Sequence, residues 1–162
     1  MNDISSSFLS EPMKVSDYGM LFGGVQKNLA PAGLVIAIIH KDLISDMVLP
    51  NTPTMLQYKI HADKKSLYNT PPTYNIYMVG KVIKWIQSWG GLEKMKELNE
   101  RKAAVLYDYL DSSSLFYGLA NADSRSLMNM RASLYNAMPI EGVQYLVDFM
   151  REFENSGDYY AK

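Results

Sequence analysis

The chain has 162 residues, 48% apolar and 20% charged, with 16 basic against 17 acidic side chains and a net charge of −1. That length supports one domain with a real core, and the composition is ordinary for a soluble globular protein. The even charge balance, without a basic run, argues against nucleic acid or anionic membrane as partners, and the lack of cysteine excludes disulfides and thiolate metal sites and fits a reducing compartment.

Residues 1–15 are Ser-rich and read as loop, and the opening MNDISSSFLSEP lacks the basic-then-apolar order of a signal peptide. Residues 18–40 read as strand, turn, strand: Met20, Leu21 and Phe22 run into two glycines, and Leu34 to Ile39 form the return strand. The longest apolar stretch, Leu29 to Ile39, is broken by Pro31 and Gly33 and falls short of the roughly 20 residues a bilayer span needs. His40 to Met47 fits one short helical turn, and the proline-punctuated residues 48–72 read as a long, functional loop. Thr73 to Trp89 is a helix by period, with Ile76, Val79, Val82, Ile83 and Ile86 on its apolar face and Gly90-Gly91 as its stop. Leu92 to Leu110 is a second helix, its wet side formed by Glu93, Lys94, Lys96, Glu97, Glu100, Arg101 and Lys102. Asp111 to Ser114 marks a domain break, dividing residues 1–111 from 112–162. Short strands are expected at Leu115 to Leu119, Ser126 to Met130 and Ala132 to Tyr135. A last amphipathic helix, Ile140 to Phe153, turns Val143, Leu146, Val147 and Met150 inward, and the acidic tail Glu152 to Asp158 is expected to fray.

The stretch YGMLFGGVQKNLAPAGL, residues 18–34, carries the most chemical information. A lysine at a strand end, between glycine and proline turns, is held in place. It can form a Schiff base where its surroundings keep some of the amine neutral. Read alone, Lys27 is also compatible with an ordinary surface lysine. His40 and His61 are the only histidines and show no partner pattern for a metal. Arg125 and Asn129 read as structural, and Trp85 and Trp89 as core rather than as stacking partners of a ligand.

Three segments occur in one family's order. SDYGMLFGGVQKNLAPAGL resembles the cofactor-lysine segment of the phosphoserine aminotransferases, class V pyridoxal-phosphate enzymes. LYNTPPTYNIYMVG, residues 67–80, and RASLYNAMP, residues 131–139, resemble two further signatures of that family. The resemblance implies an α/β fold: part of the fold-type I large domain, followed by a truncated α+β small domain. It implies pyridoxal 5′-phosphate held as an aldimine on Lys27, which is also the proton carrier. Asp3 matches the carboxylate at the pyridine nitrogen, and Gln26 a cofactor contact. Asn69 and Thr70 match a pair that reaches the cofactor phosphate of the other subunit in a homodimer with shared active sites. Arg131 matches the arginine that grips the substrate carboxylate, a task suited to its planar fork. No metal is implied.

The chain departs from the family pattern in two ways. It starts at the ring-nitrogen aspartate, without the family's upstream strands, phosphate loop and stacking aromatic. Met130 also runs straight into Arg131, where the family has a further strand, a helix and a Gly-rich segment with a His-Arg pair. A parallel sheet without its first strands has an open edge and a bare apolar face, so the isolated chain is expected to be poorly stable or to associate. The function implied is amino transfer between glutamate and 3-phosphohydroxypyruvate in serine biosynthesis, with pyridoxine biosynthesis as a further role and the cytoplasm as the location. Two alternatives stay open: another class V enzyme, such as a small-amino-acid transaminase or a desulfurase-like lyase, or an inactive fragment acting only as an association module. YNTPPTY and the lack of cysteine argue against a desulfurase.

Overall fold

A computed structural model describes residues 1–128 and 132–157. The chain divides into two compact units: residues 1–5 with 13–83, and residues 6–12 with 84–162.

The first unit is built on a three-stranded sheet in the order β1-β2-β3, formed by Asn2–Asp3, Met20–Gly24 and Val35–Ile39. β1 runs parallel to β2, with Asp3 opposite Phe22. β3 returns antiparallel, pairing Met20 with Ile39 and Gly24 with Val35. The expected strand, turn, strand over residues 18–40 is therefore present. β2 is central, so its side chains are covered: Leu21 is 1% exposed, and Val25, just beyond the strand, is fully buried. Burying each such side chain contributes about 1.5–3 kcal/mol. β3 stands at the open edge, and its Val35 and Ile38 are 63% and 40% exposed.

The segment between β2 and β3 is tightly tied. Val25 N–H donates to the Leu34 carbonyl at 3.1 Å, and the Val25 carbonyl accepts from Leu29 and Ala30, both at 3.0 Å. Gly33, at φ +116°, makes the turn back into β3, a conformation costly for other residues. The buried Asn75 donates its amide to the carbonyls of Pro31 and Ala32, at 2.6 and 3.0 Å. Asn75 lies on α2, Thr73–Ser88, whose first turns belong to this unit. On that helix Val79 is buried, but Ile76 and Ile83 are 49% and 39% exposed, contrary to the expected apolar face. Residues 48–72 are not all loop: they include a short helix, α1, at Tyr58–Asp63, besides a 3-10 turn at Thr54–Leu56.

The second unit is organised by α3, Gly91–Ser112, and α4, Ile140–Ser156. Gly90 and Gly91, both at positive φ, separate α2 from α3 as expected. Leu106 and Tyr109 of α3, Leu134, and Val143 and Val147 of α4 form the core, with Leu146 and Met150 partly buried beside it. The α4 stripe is the one its period predicts.

Lys102, which the helical period puts on the wet face of α3, is completely buried. Its ammonium donates to the carbonyls of Leu134, at 3.2 Å, and Tyr135, at 2.8 Å. One turn earlier Asn99, also fully buried, donates to the Ser10 carbonyl and to Asn136 Oδ1, both at 2.9 Å. Asn136 in turn donates to the Leu9 carbonyl at 2.8 Å. Buried carbonyls need such donors, because each unsatisfied polar group costs about 1–3 kcal/mol. Among the described residues, 115–119, 126–128 and 132–135 form no extended strand; Ser133 makes an isolated bridge, and Asn129 and Met130 of the expected 126–130 run lie outside the described residues. The segments are held instead by isolated bonds such as Leu134 N–H to the Met128 carbonyl at 3.0 Å.

Nor does the acidic tail fray from Glu152: α4 continues to Ser156. Glu154 clasps the end of α3, accepting from Tyr109 Oη, the Ser113 and Ser114 hydroxyls, and the Ser114 and Leu115 amides at 2.6–3.0 Å. The Ser114 and Ser113 hydroxyls, more than any other group, hold its carboxyl down to about 2, against an ordinary 4.5. A depressed carboxylate contributes stability above its ordinary pKa, and that contribution is lost as pH falls towards its folded value. Acid unfolding of Glu154→Gln, followed by circular dichroism, should therefore lose the part of the wild-type pH dependence that lies between about 4.5 and 2. Parallel wild-type and variant profiles across that window would show that the clasp contributes nothing.

Candidate active site

The loop that joins β2 to β3 carries Gln26 and Lys27, and β1 ends on Asp3. Parallel pairing puts Asp3 beside Phe22, close to the point where β2 delivers the loop. Lys27 is half-buried, while Asp3 is exposed. The Asp3 carboxyl is held below the usual carboxylate range, first by the Ser5 hydroxyl, then by the Ser5 N–H, and further by the positive charge of Lys27. The Ser5 hydroxyl donates to Asp3 Oδ1 at 2.6 Å, and its N–H donates to the same oxygen at 2.8 Å. Gly24 N–H donates to Ser5 Oγ at 2.9 Å, tying the end of β2 to the turn after β1.

Gly24 serves a second purpose. A Cβ built there would meet the amide end of Gln26, so the Gln26 side chain lies directly over the Gly24 backbone. The Gln26 side chain is exposed. Asn69 and Thr70 lie in the solvent-facing bend before Pro71 and Pro72, with the Asn69 amide donating to the Thr70 carbonyl at 3.4 Å. The structure thus brings Asp3 and Lys27 within electrostatic reach, with Gln26 beside Lys27. For Asn69 and Thr70 it shows an exposed bend in the same unit. Arg131 lies outside the described residues, as does Asn129.

Elsewhere, Arg125 donates to both oxygens of Asp111 and covers the Tyr107 ring, with its guanidinium carbon 4.5 Å from the centroid, a structural arrangement. Trp85 is half-buried, whereas Trp89 is 55% exposed and so is not core. His61 contacts the Met55 carbonyl at 2.8 Å, and His40 lies 3.5 Å from Asp42. Among the described residues no group of three His, Cys, Asp or Glu side chains is placed to hold a metal, and no helix is long and apolar enough to cross a membrane.

Ser5, one of the two serines that follow Asp3, is a residue to which sequence reading gives no role. Its signal was present, because a serine two positions after an aspartate is the local pattern in which the carboxylate captures a nearby N–H.

The family model "Aminotransferase class-V" matches residues 1–129, and the chain belongs to that family. Among curated proteins it is similar to the phosphoserine aminotransferase of Nitrosomonas europaea, 43% identical over 95% of this chain and 51% of the relative. The phosphoserine aminotransferase of Lactiplantibacillus plantarum is 44% identical over 94% of this chain and 52% of its own length. Among solved structures, the pyridoxal-phosphate-bound phosphoserine aminotransferase of Trichomonas vaginalis superposes with a TM-score of 0.88 at 37% identity, covering 93% of this chain and 50% of that one. The fold is accordingly that of part of a fold-type I enzyme. The chain spans about half the length of the relatives it matches. The Nitrosomonas match runs over 188 residues against the 162 of this chain, so that relative holds internal residues that this chain lacks. The family match itself stops at Asn129, just before the Met130–Arg131 junction.

Proposed function

We propose that the chain carries the lysine-bearing part of a pyridoxal-phosphate-dependent phosphoserine aminotransferase. It would move an amino group between glutamate and 3-phosphohydroxypyruvate and so serve serine biosynthesis in the cytoplasm. The observation that carries this reading is that the charge of Lys27 acts on the Asp3 carboxylate at the end of the sheet where β1 and β2 finish. It is supported by the similarity to phosphoserine aminotransferases.

The residues fit the cofactor. When bound, pyridoxal phosphate supplies an electron sink for the substrate's α-carbon. Asp3, ionised well below neutrality, would accept a hydrogen bond from the ring nitrogen and keep it protonated. Lys27 Nζ would hold the aldehyde carbon and, once displaced by the substrate amine, take and return the α-proton. The tied turn from Val25 to Ala30 fixes where that amine is presented. Gln26, seated over Gly24, would contact the cofactor from the same loop.

Asn69 and Thr70 would reach the cofactor phosphate of a second subunit, with the adjoining prolines limiting the order lost on binding. Arg131 would pair bidentately with the substrate carboxylate. Exposed Met47, Leu49, Leu56, Leu67, Tyr74 and Tyr77 support a homodimer. In the intact enzyme, residues 1–111 would belong to the large domain and 112–162 to the small one. A further role in pyridoxine biosynthesis fits the same chemistry.

The test is the choice of amino acceptor. With glutamate as donor, kcat/KM for phosphohydroxypyruvate should exceed that for pyruvate or glyoxylate by about a hundredfold or more, because a site built to bind a charged group rejects substrates lacking it. Equal turnover of all three would assign the protein to another class V activity.

A further inference from the structure

We propose that Ser5 is a positioning residue of this site, its hydroxyl coupling the Asp3 carboxylate to the backbone at the root of the Lys27 loop. The inference rests on the reading of Asp3 given above.

The direction of each hydrogen bond is fixed by chemistry. A serine hydroxyl has one proton and a backbone amide can only donate. Gly24 N–H therefore donates to Ser5 Oγ, and the Ser5 hydroxyl spends its proton on Asp3 Oδ1. The Ser5 N–H also points at Oδ1. Both contacts from Ser5 fall on one carboxylate oxygen. Oδ1 is anchored, and Oδ2 of this exposed side chain is left to meet a donor arriving from the site. Serine thus divides the carboxylate into a held oxygen and a presented one.

The same contacts link two elements of the sheet. Gly24 closes β2, and Gln26 and Lys27 follow it after the buried Val25. Ser5 follows β1, whose pairing with β2 continues through Ile4 N–H to the Phe22 carbonyl at 2.8 Å. The relay from Gly24 through Ser5 to Asp3 sets the ring-nitrogen carboxylate against the loop that delivers the lysine. Hydrogen bonds in such a chain polarise one another, so the carboxylate meets a stronger donor than an isolated hydroxyl. Lys27 is the charged group that acts on Asp3 in the same sense.

The experiment compares the protein with Ser5→Ala, Ser5→Thr and Ser5→Cys. The Asp3 carboxyl is titrated by carbon-13 NMR on cofactor-free protein and assigned with Asp3→Asn. In Ser5→Ala, Asp3 should titrate at higher pH than in the wild type, and Ser5→Thr should restore the wild-type value. Ser5→Cys, nearly isosteric with a weaker donor, should fall between and keeps the test open if alanine disturbs folding. In the loaded enzyme kcat should fall about 10- to 100-fold for Ser5→Ala, the usual cost of removing an outer-shell partner, with KM little changed. A merely structural serine would lower thermal stability without moving the Asp3 titration, and that result overturns the proposal. The two readings fail separately. A serine-dependent Asp3 titration without aminotransferase activity would sink the enzyme reading alone. Full activity with an unmoved titration would sink the role of Ser5 alone.

Discussion

Replacing Lys27 with alanine is expected to reduce amino transfer by about a thousandfold or more and to leave no visible-absorbing cofactor after dialysis. A positioned proton carrier alone contributes about 10²–10⁴-fold, and here the same amine also holds the cofactor. The position is specific. Lys27 lies in a turn closed by bonds to the Val25 carbonyl and by the Val25–Leu34 contact, and Asn75 pins the far side of the loop. Lys27→Arg is the informative control. It preserves a positive charge near Asp3, but a guanidinium stays protonated and takes no part in proton transfer or carbonyl chemistry at neutral pH. Arginine should therefore keep the Asp3 titration low while leaving transfer as poor as alanine does. Steady-state turnover together with the visible spectrum of dialysed protein checks both. An alanine variant that keeps its colour and a tenth of wild-type turnover would remove Lys27 from the mechanism.

The second large effect is expected at Lys102 and appears as a dependence of stability on pH. Burial pushes the Lys102 ammonium down to about 8, against an ordinary 10.5. In the unfolded chain the amine keeps its ordinary affinity for protons. Between about pH 8 and 10.5 the unfolded state therefore binds more protons than the folded one. Stability contributed at this position must then rise with pH across that window, and below it the fold bears the full cost of the buried charge. At about 1.4 kcal/mol per pH unit the change amounts to roughly 2–4 kcal/mol.

Lys102→Met keeps the length and apolar stem without the charge. The wild-type unfolding free energy, measured in urea relative to Lys102→Met, should climb by that amount between pH 8 and 10.5. Burial raises the Tyr107 and Tyr109 hydroxyls, whose ionisation at high pH works against the fold. Both tyrosines are present in both proteins, so their effect cancels in the difference. A difference that stays flat over the window would mean that Lys102 titrates as in water.

Lys102 and Glu154 show where sequence reading loses its hold. A lysine on an amphipathic helix reads as solvated and a glutamate in an acidic tail as frayed, because charge is rarely buried without a partner. Their partners here are remote in sequence: the Leu134 and Tyr135 carbonyls for Lys102, and the Ser113–Leu115 turn for Glu154. The strand-like runs after Ser114 form no extended strand among the described residues, for the complementary reason. A short apolar run becomes a strand only where a neighbour takes its amides and carbonyls, and among the described residues these runs show only an isolated bridge at Ser133. Ile76 and Ile83 keep their helical spacing yet remain exposed, because periodicity defines a face and not what covers it.

What the sequence alone determined is local. The Met20–Phe22 run, the paired glycines, and Pro31 and Gly33 establish two strands with Lys27 between them, because strand period and turn chemistry act over a few residues. The Gly90-Gly91 break and the Val143–Val147 stripe place the helices for the same reason. The motif likeness likewise brought out the family and Asp3, Gln26 and Lys27 as the residues to examine. Tertiary structure alone decided that the Asp3 carboxylate lies within the field of Lys27, that Ser5 ties it to Gly24, and that Lys102 goes inside. Each of these rests on charge, hydrogen bonding or burial between segments distant along the chain. Such pairings exist only once the strands have aligned and the helices have packed.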